Sequence, residues 1–177
     1  MKKIKLYIAS SLDGYIARED GSLDWLYELP NPDQEDYGYG DFLATVDTVV
    51  MGRKTYEEIL GFDVEWPYSD FRTLIITSQE EYQVRTARTE AMSQLDQQGI
   101  DKLRAGSQKN IWLVGGGQII TEFLNLGAVD EMTISMVPRI LGKGIQLFPG
   151  GPRETIFDLV SAVSFASGMV NLIYSRK

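Results

Sequence analysis

Short β-prone apolar runs alternate with helix-type segments along this chain, and that alternation most narrows the folds open to it. Ile4, Leu6 and Ile8 alternate with Lys3, Lys5 and Tyr7, a period of two that predicts a first strand. Residues 48–51, 73–77 and 111–114 are short, nearly continuous apolar runs, as expected of strands covered on both faces. Residues 132–137 and 169–174 complete six strong strands, and weaker ones are expected near 82–88 and 159–164. Helix-type segments lie between them. Phe42, Leu43 and Val46 precede the second strand; residues 55–60 follow it, with Gly61 as a stop. Met92, Leu95, Ile100 and Leu103 mark a third helix weakened by Gly99, and residues 118–126 a fourth that ends at Gly127. The pattern predicts an α/β fold with a central, mostly parallel sheet and helices on both faces. From Ile134 onward there is little room for crossover helices, so an antiparallel C-terminal edge is expected. No repeat, low-complexity linker or exposed apolar stripe is evident, and residues 1–177 are expected to form a single domain.

The chain contains neither cysteine nor histidine. The first absence excludes disulfides, thiolate catalysis, cysteine-ligated zinc and iron–sulfur clusters. The second excludes histidine triads and imidazole bases, and no metal site is expected. Acid–base work falls to Asp, Glu, Tyr, Lys or water held by one of them. A net charge of −8 argues against nucleic acid as a partner, since a phosphate-backbone binder needs a basic stripe. The apolar stretch after Lys2 and Lys3 contains Lys5 and stops at Asp13, too short for a signal sequence or a span. A cytoplasmic protein with no membrane contact is the expectation.

In open α/β sheets ligands bind past the carboxyl ends of the strands, so the residues there carry the functional reading. After the first strand, Asp13-Gly14 is either a simple turn or part of a loop over a ligand. Trp25, on a polar stretch beyond it, is either an aromatic lid or an ordinary partly buried tryptophan. After the second strand, Gly52 would let backbone approach a ligand. Thr55 is a candidate N-cap or first-turn residue, with Glu58 three positions on as in a capping box. Arg53 and Lys54 oppose the helix dipole at that end unless a phosphate sits between them and the helix amides; otherwise both are simply solvated. Thr77, Ser78 and Gln79 after the third strand suit sugar or phosphate oxygens. After the fourth, Gly115, Gly116 and Gly117 open a helix at Gln118, the kind of junction where a pyrophosphate docks on free amides. The usual dinucleotide fingerprint is not met, because its last position is Ile120, and no Walker loop occurs. Gly142-Lys143-Gly144 and residues 149–152 read as turns. Asp33-Gln34-Glu35-Asp36 reads as a solvated loop or helix start that could also turn a carboxylate toward a pocket.

Ser11-Leu12-Asp13-Gly14-Tyr15-Ile16-Ala17, Asp24-Trp25-Leu26, Val50-Met51-Gly52-Arg53-Lys54-Thr55-Tyr56-Glu57, Ile111-Trp112-Leu113-Val114-Gly115-Gly116-Gly117, and Leu141-Gly142-Lys143-Gly144-Ile145-Gln146-Leu147-Phe148, in this order and spacing, resemble the dihydrofolate reductase superfamily. The resemblance is to the branch holding the reductase domain of riboflavin biosynthesis and its stand-alone relatives. It implies one dihydrofolate-reductase-like domain, NADPH as cofactor and a homodimer. Gly52, Arg53, Lys54 and Thr55 would hold cofactor phosphates, and Thr77 and Ser78 would lie near the adenosine ribose. Val114 and Gly115–Gly117, with Gln118 and Ile119, would hold the pyrophosphate, and the Gly115–Gly116 peptide would be cis. Ala9, Ile16 and Ala17 would border the nicotinamide.

The chain departs from the family pattern in three places. Counting back from Met51, Asp36 falls where a dihydrofolate reductase keeps its substrate-binding carboxylate, with Glu35 and Asp41 behind it. Phe71 falls where the arginine for the folate tail would stand; Arg72, one residue on, would face the other side of the sheet. Gln118 replaces an arginine often found after the three glycines. The expected activity is hydride transfer from NADPH to a C=N or C=O carbon of a small heterocyclic or ribosylamino-pyrimidine-type substrate bound near Trp25 and Asp36. Asp36 would act as an acid raised by burial, or stay charged and bind an amidine-like ring edge. Dihydrofolate reduction, or nucleotide binding without turnover, are the alternatives.

Overall fold

A computed structural model describes residues 1–93 and 95–177. Its sheet has eight strands: β1 (Ile4–Ser11), β3 (Val46–Gly52), β4 (Arg72–Ile76), β5 (Thr89–Met92), β6 (Asn110–Gly115), β7 (Glu131–Val137), β9 (Phe157–Ser164) and β10 (Val170–Arg176). They run in the order β5-β4-β3-β6-β1-β7-β10-β9. The pairings from β5 to β7 are parallel, and β10 is antiparallel to both β7 and β9. A small antiparallel ribbon joins β2 (Tyr15–Ala17) to β8 (Ile145–Gln146). The mostly parallel sheet and its antiparallel C-terminal edge agree with the sequence pattern.

Helices cover both faces. In α5 (Gly117–Asn125), Ile120, Phe123 and Leu124 lie at i, i+3 and i+4, the stripe a helix buries. With Ile100 and Leu103 of α4 (Gln97–Gly106) they pack on Ile4, Leu6 and Leu113. The other face carries Tyr56, Ile59 and Leu60 of α3 (Arg53–Leu60) and Phe42 and Leu43 of α2 (Tyr39–Ala44), against Val49, Met51 and Trp112. Strand β1 alternates between the layers, with Leu6 on the first and Tyr7 on the second. The four-residue α1 (Asp24–Tyr27) lies near the C-terminal end of β7, where Trp25 packs on Val137.

The structure differs from the sequence expectations in four places. Residues 82–88 form no strand; the edge strand is β5, which pairs with β4 through Thr89↔Thr73 and Met92↔Ile76. The helix expected from Met92 therefore begins only at Gln97, where the Asp96 carboxylate accepts from the Gly99 amide as an N-cap. Val46 belongs to β3, not to the helix before it. The edge strand β9 also exposes Leu159, Val160 and Val163 to solvent, an apolar stripe the sequence pattern did not reveal. Among the described residues, no helix is long and apolar enough to cross a membrane.

Candidate active site

Strands β3 and β6 are parallel neighbours, with Met51 opposite Gly115, so the helices that follow them start side by side. Helix α3 begins after Gly52 and α5 after Gly116, both glycines in extended conformation and neither helix capped by a side chain. Neither carries an acidic residue in its first turn. The junctions touch: a Cβ on Gly116 would lie 3.3 Å from the Thr55 hydroxyl, and one on Gly52 would lie 2.9 Å from the Ile119 side chain. The Gly115–Gly116 peptide is cis. Two uncapped helix N-termini brought together offer backbone N–H groups and the positive ends of two dipoles to an anion.

Side chains around this cradle fall into two groups. Thr55 is in the first turn of α3, not its N-cap, and the capping box does not form, because the Glu58 carboxylate turns to Gly21 instead. Arg53 makes an i,i+4 ion pair with Glu57 at 2.6 Å, while Lys54 is exposed. Thr77 is buried, its hydroxyl accepting from the Gln79 amide, and Ser78 and Gln118 are exposed. A Cβ on Gly115 would stand 3.8 Å from Ile8 of β1, which ties the cradle to the next strand.

Over β1 and β7 lies a cavity of about 380 Å³. Tyr7, Ala9 and Ser135 come from the sheet, Leu26, Tyr27 and Leu29 from α1 and beyond, and Asp36 and Tyr39 from the approach to α2 and its first turn. A second hollow, of about 420 Å³ beside α4, is lined by Arg72 and Glu90, which are themselves an ion pair. The first stands over β1, which in the sheet neighbours β6 and its glycine junction, and is the better candidate for substrate.

Trp25 is not a lid. It is fully buried against Val137 and Met169 and does not line the cavity, whereas its neighbours Leu26 and Tyr27 do. Asp36 lines the cavity but is exposed, so the expected rise of its pKa by burial does not occur. Its two oxygens accept from the Gly38 and Gly40 amides at 2.8 and 3.0 Å, which hold the carboxyl below its ordinary value. Glu35 and Asp41 do not line the cavity. Asp13-Gly14 forms a turn, with Gly14 left-handed at φ +84°; the Asp13 carboxylate accepts from the Leu141 and Gly142 amides, tying the turn to the loop after β7. Phe71 packs in the aromatic layer, whereas Arg72 turns to Gly106 of α4, confirming that they face opposite sides.

Missed at the sequence level were Tyr7, Ser135 and Asn171. Tyr7 donates to the Tyr37 carbonyl at 2.9 Å, and the Asn171 amide donates to the same carbonyl at 2.7 Å. Tyr7 and Ala9 share a face at i and i+2, a signal that was available in the strand pattern.

The sequence profile of the RibD C-terminal domain matches residues 61–171. The chain belongs to this family. The Bacillus subtilis protein YwjB, itself uncharacterised, is 38% identical over 99% of the chain and 98% of its own length. A Shewanella sp. PV-4 structure provisionally named for riboflavin biosynthesis superposes with a TM-score of 0.89, at 32% identity and 99% coverage of both chains. Dihydrofolate reductase from Enterococcus faecalis, solved with NADP(H), shares the fold at a TM-score of 0.68 and 17% identity, covering 99% of this RibD C-terminal domain protein and 96% of its own chain.

Proposed function

We propose that residues 1–177 act as one cytoplasmic reductase domain that binds NADPH in the paired-helix cradle and reduces a C=N or C=O carbon of a small heterocyclic or ribosylamino-pyrimidine-type substrate in the adjoining cavity. The observation that carries this reading is the meeting of the two uncapped, glycine-started helices, in a sheet whose strand β1, neighbour of β6, floors an open cavity. Family membership supports a reductase of the riboflavin pathway.

The residues fit the cofactor. Gly52, Lys54, Thr55 and the amides of residues 117–119 would hold its phosphates, with Arg53 free to exchange Glu57 for a phosphate oxygen. Thr77 and Ser78 follow the next strand, where the adenosine ribose would reach. Ala9, Ile16 and Ala17, small or apolar, would leave a flat surface for the nicotinamide. When bound, the reduced nicotinamide supplies the hydride. The chain's own share is positioning: Leu26, Tyr27, Leu29, Tyr7 and Tyr39 enclose the substrate ring and exclude water from its faces. Asp36 remains anionic at the rim and binds rather than protonates, so the proton comes from water. A folate tail finds no cation at Phe71, and Arg72 is engaged by Glu90 on the other face, so dihydrofolate is disfavoured as substrate.

The homodimer implied by the family resemblance would use the exposed apolar stripe of β9. Titrating tryptophan fluorescence with NADPH and with NADH, side by side, tests the cofactor assignment. Saturable quenching by NADPH is expected, followed by loss of its absorbance when a ribosylamino-pyrimidine is added; quenching by neither nucleotide overturns the reading.

A further inference from the structure

Among the described residues that line the cavity over β1 and β7, Asp36 carries the only charge, and four of the others are tyrosines: Tyr7, Tyr27, Tyr37 and Tyr39. No lysine or arginine lines it. The two arginines tied to its helical wall are engaged by acids of that wall. Arg18 pairs with Asp24 of α1 at 2.6 Å, and Arg139 pairs with Glu28, the residue after α1, at 2.8 Å. A phosphate or carboxylate on a substrate would therefore meet a carboxylate in this cavity and no counter-charge.

The rings are held in place. Tyr7 and Tyr39 stand 5.9 Å apart between centroids, and Tyr39 meets Trp112 edge-on at 5.6 Å. Tyr37 meets Phe165 edge-on at 4.9 Å. Its backbone is left-handed, φ +58°, a conformation bulky residues rarely adopt. Two bonds to its carbonyl, from Tyr7 Oη and Asn171 Nδ2, fix it there. The carboxylate one residue earlier is fixed as well, by the Gly38 and Gly40 amides. Aromatic rings around one carboxylate are the chemistry that receives an organic cation. The same residues make poor proton donors. Asp36 is ionised, and burial pushes the Tyr7 and Tyr39 hydroxyls above their ordinary values. A carbonyl oxygen gathering negative charge here would face the carboxylate with no ready acid.

We infer that the cavity takes a small heterocyclic iminium cation, held between Asp36 and the tyrosine rings with its C=N carbon as the hydride acceptor, and turns away phosphorylated or carboxylated substrates. This rests on the reductase reading and narrows it to the heterocyclic C=N branch. The step balances without an acid. A C–H bond forms with the hydride of the reduced nicotinamide, which is left oxidised; the C=N π pair withdraws onto nitrogen, and an uncharged amine results.

Calorimetric titration of the full chain tests it with three bicyclic probes of similar size: the N-methyl-3,4-dihydroisoquinolinium cation, neutral 1-tetralone and the anion 1-naphthyl phosphate. The cation is expected to bind about tenfold more tightly than 1-tetralone, and 1-naphthyl phosphate should not displace it. Asp36→Asn should weaken the cation about tenfold, and Tyr27→Leu, at an exposed ring, about threefold, both leaving 1-tetralone unchanged. Raising NaCl from about 0.05 to 0.5 M should weaken the cation alone. Should Asp36→Asn disturb the turn into α2, that salt dependence, read on the unaltered chain, decides. Equal binding of cation and ketone, displacement by the phosphate, a salt-independent cation, or no binding of the cation would each overturn the inference. A protein that binds the cation in this pattern but neither binds nor oxidises NADPH would sink the reductase reading and leave the cation site standing.

Discussion

Asp36 shows how one side chain's partners decide its chemistry. Its place near the pocket follows from counting along the chain, but its charge state does not: it depends on two backbone amides that only the turn into α2 brings to it. A carboxyl held below its ordinary pKa is ionised throughout the neutral range. The kcat/KM profile is thus expected to show no limb from this group between pH 5 and 8. Asp36→Asn, which keeps one amide acceptor and loses the charge, should lower kcat/KM about tenfold, mainly through KM. A rate that falls as a carboxylic acid ionises near neutrality would instead make Asp36 the proton donor.

Among the elements, those that build the cradle were legible because their signal is local. Apolar β runs ending in Gly52 and in three glycines announce strand, turn and helix within a dozen residues, and the cationic start of α3 contradicts the helix dipole in plain sight. Strand β5 was not legible. Thr89, Glu90, Ala91 and Met92 have weak strand preference, and they form a strand only because β4 presents an edge to them. The buried polar pair Ser135 and Asn171 was hidden for a similar reason: the two lie far apart in the chain, and only the register of β7 and β10 makes them neighbours. The glycines of the second junction also differ in their work. A Cβ on Gly117 would run into the Gln146 carbonyl and lie 2.8 Å from Pro149, so Gly117→Ala must push backbone apart. A loss of about 1–3 kcal/mol in urea unfolding, with an unchanged m value, is expected; unaltered stability would show that the loop before Pro149 yields freely.

For the molecule as a whole, the sheet is closed off differently at its two ends. Strand β5 is short, whereas β9 is eight residues long and turns Leu159, Val160 and Val163, 43–64% exposed, to solvent. A long apolar edge strand invites pairing with another chain. Val160→Asp is expected to convert a dimer into a monomer in light scattering after size exclusion, without unfolding it; a wild-type monomer would remove the homodimer from the proposed function. The register adds a consequence. Asn171 stands opposite Ser135 on one side and Val163 on the other, so a straight rank of side chains leads from the cavity wall to the outermost strand. Only β10 separates a neighbour docked on that flank from Ser135 on the cavity wall, and subunit association and ligand binding would be felt through the same seven residues of backbone.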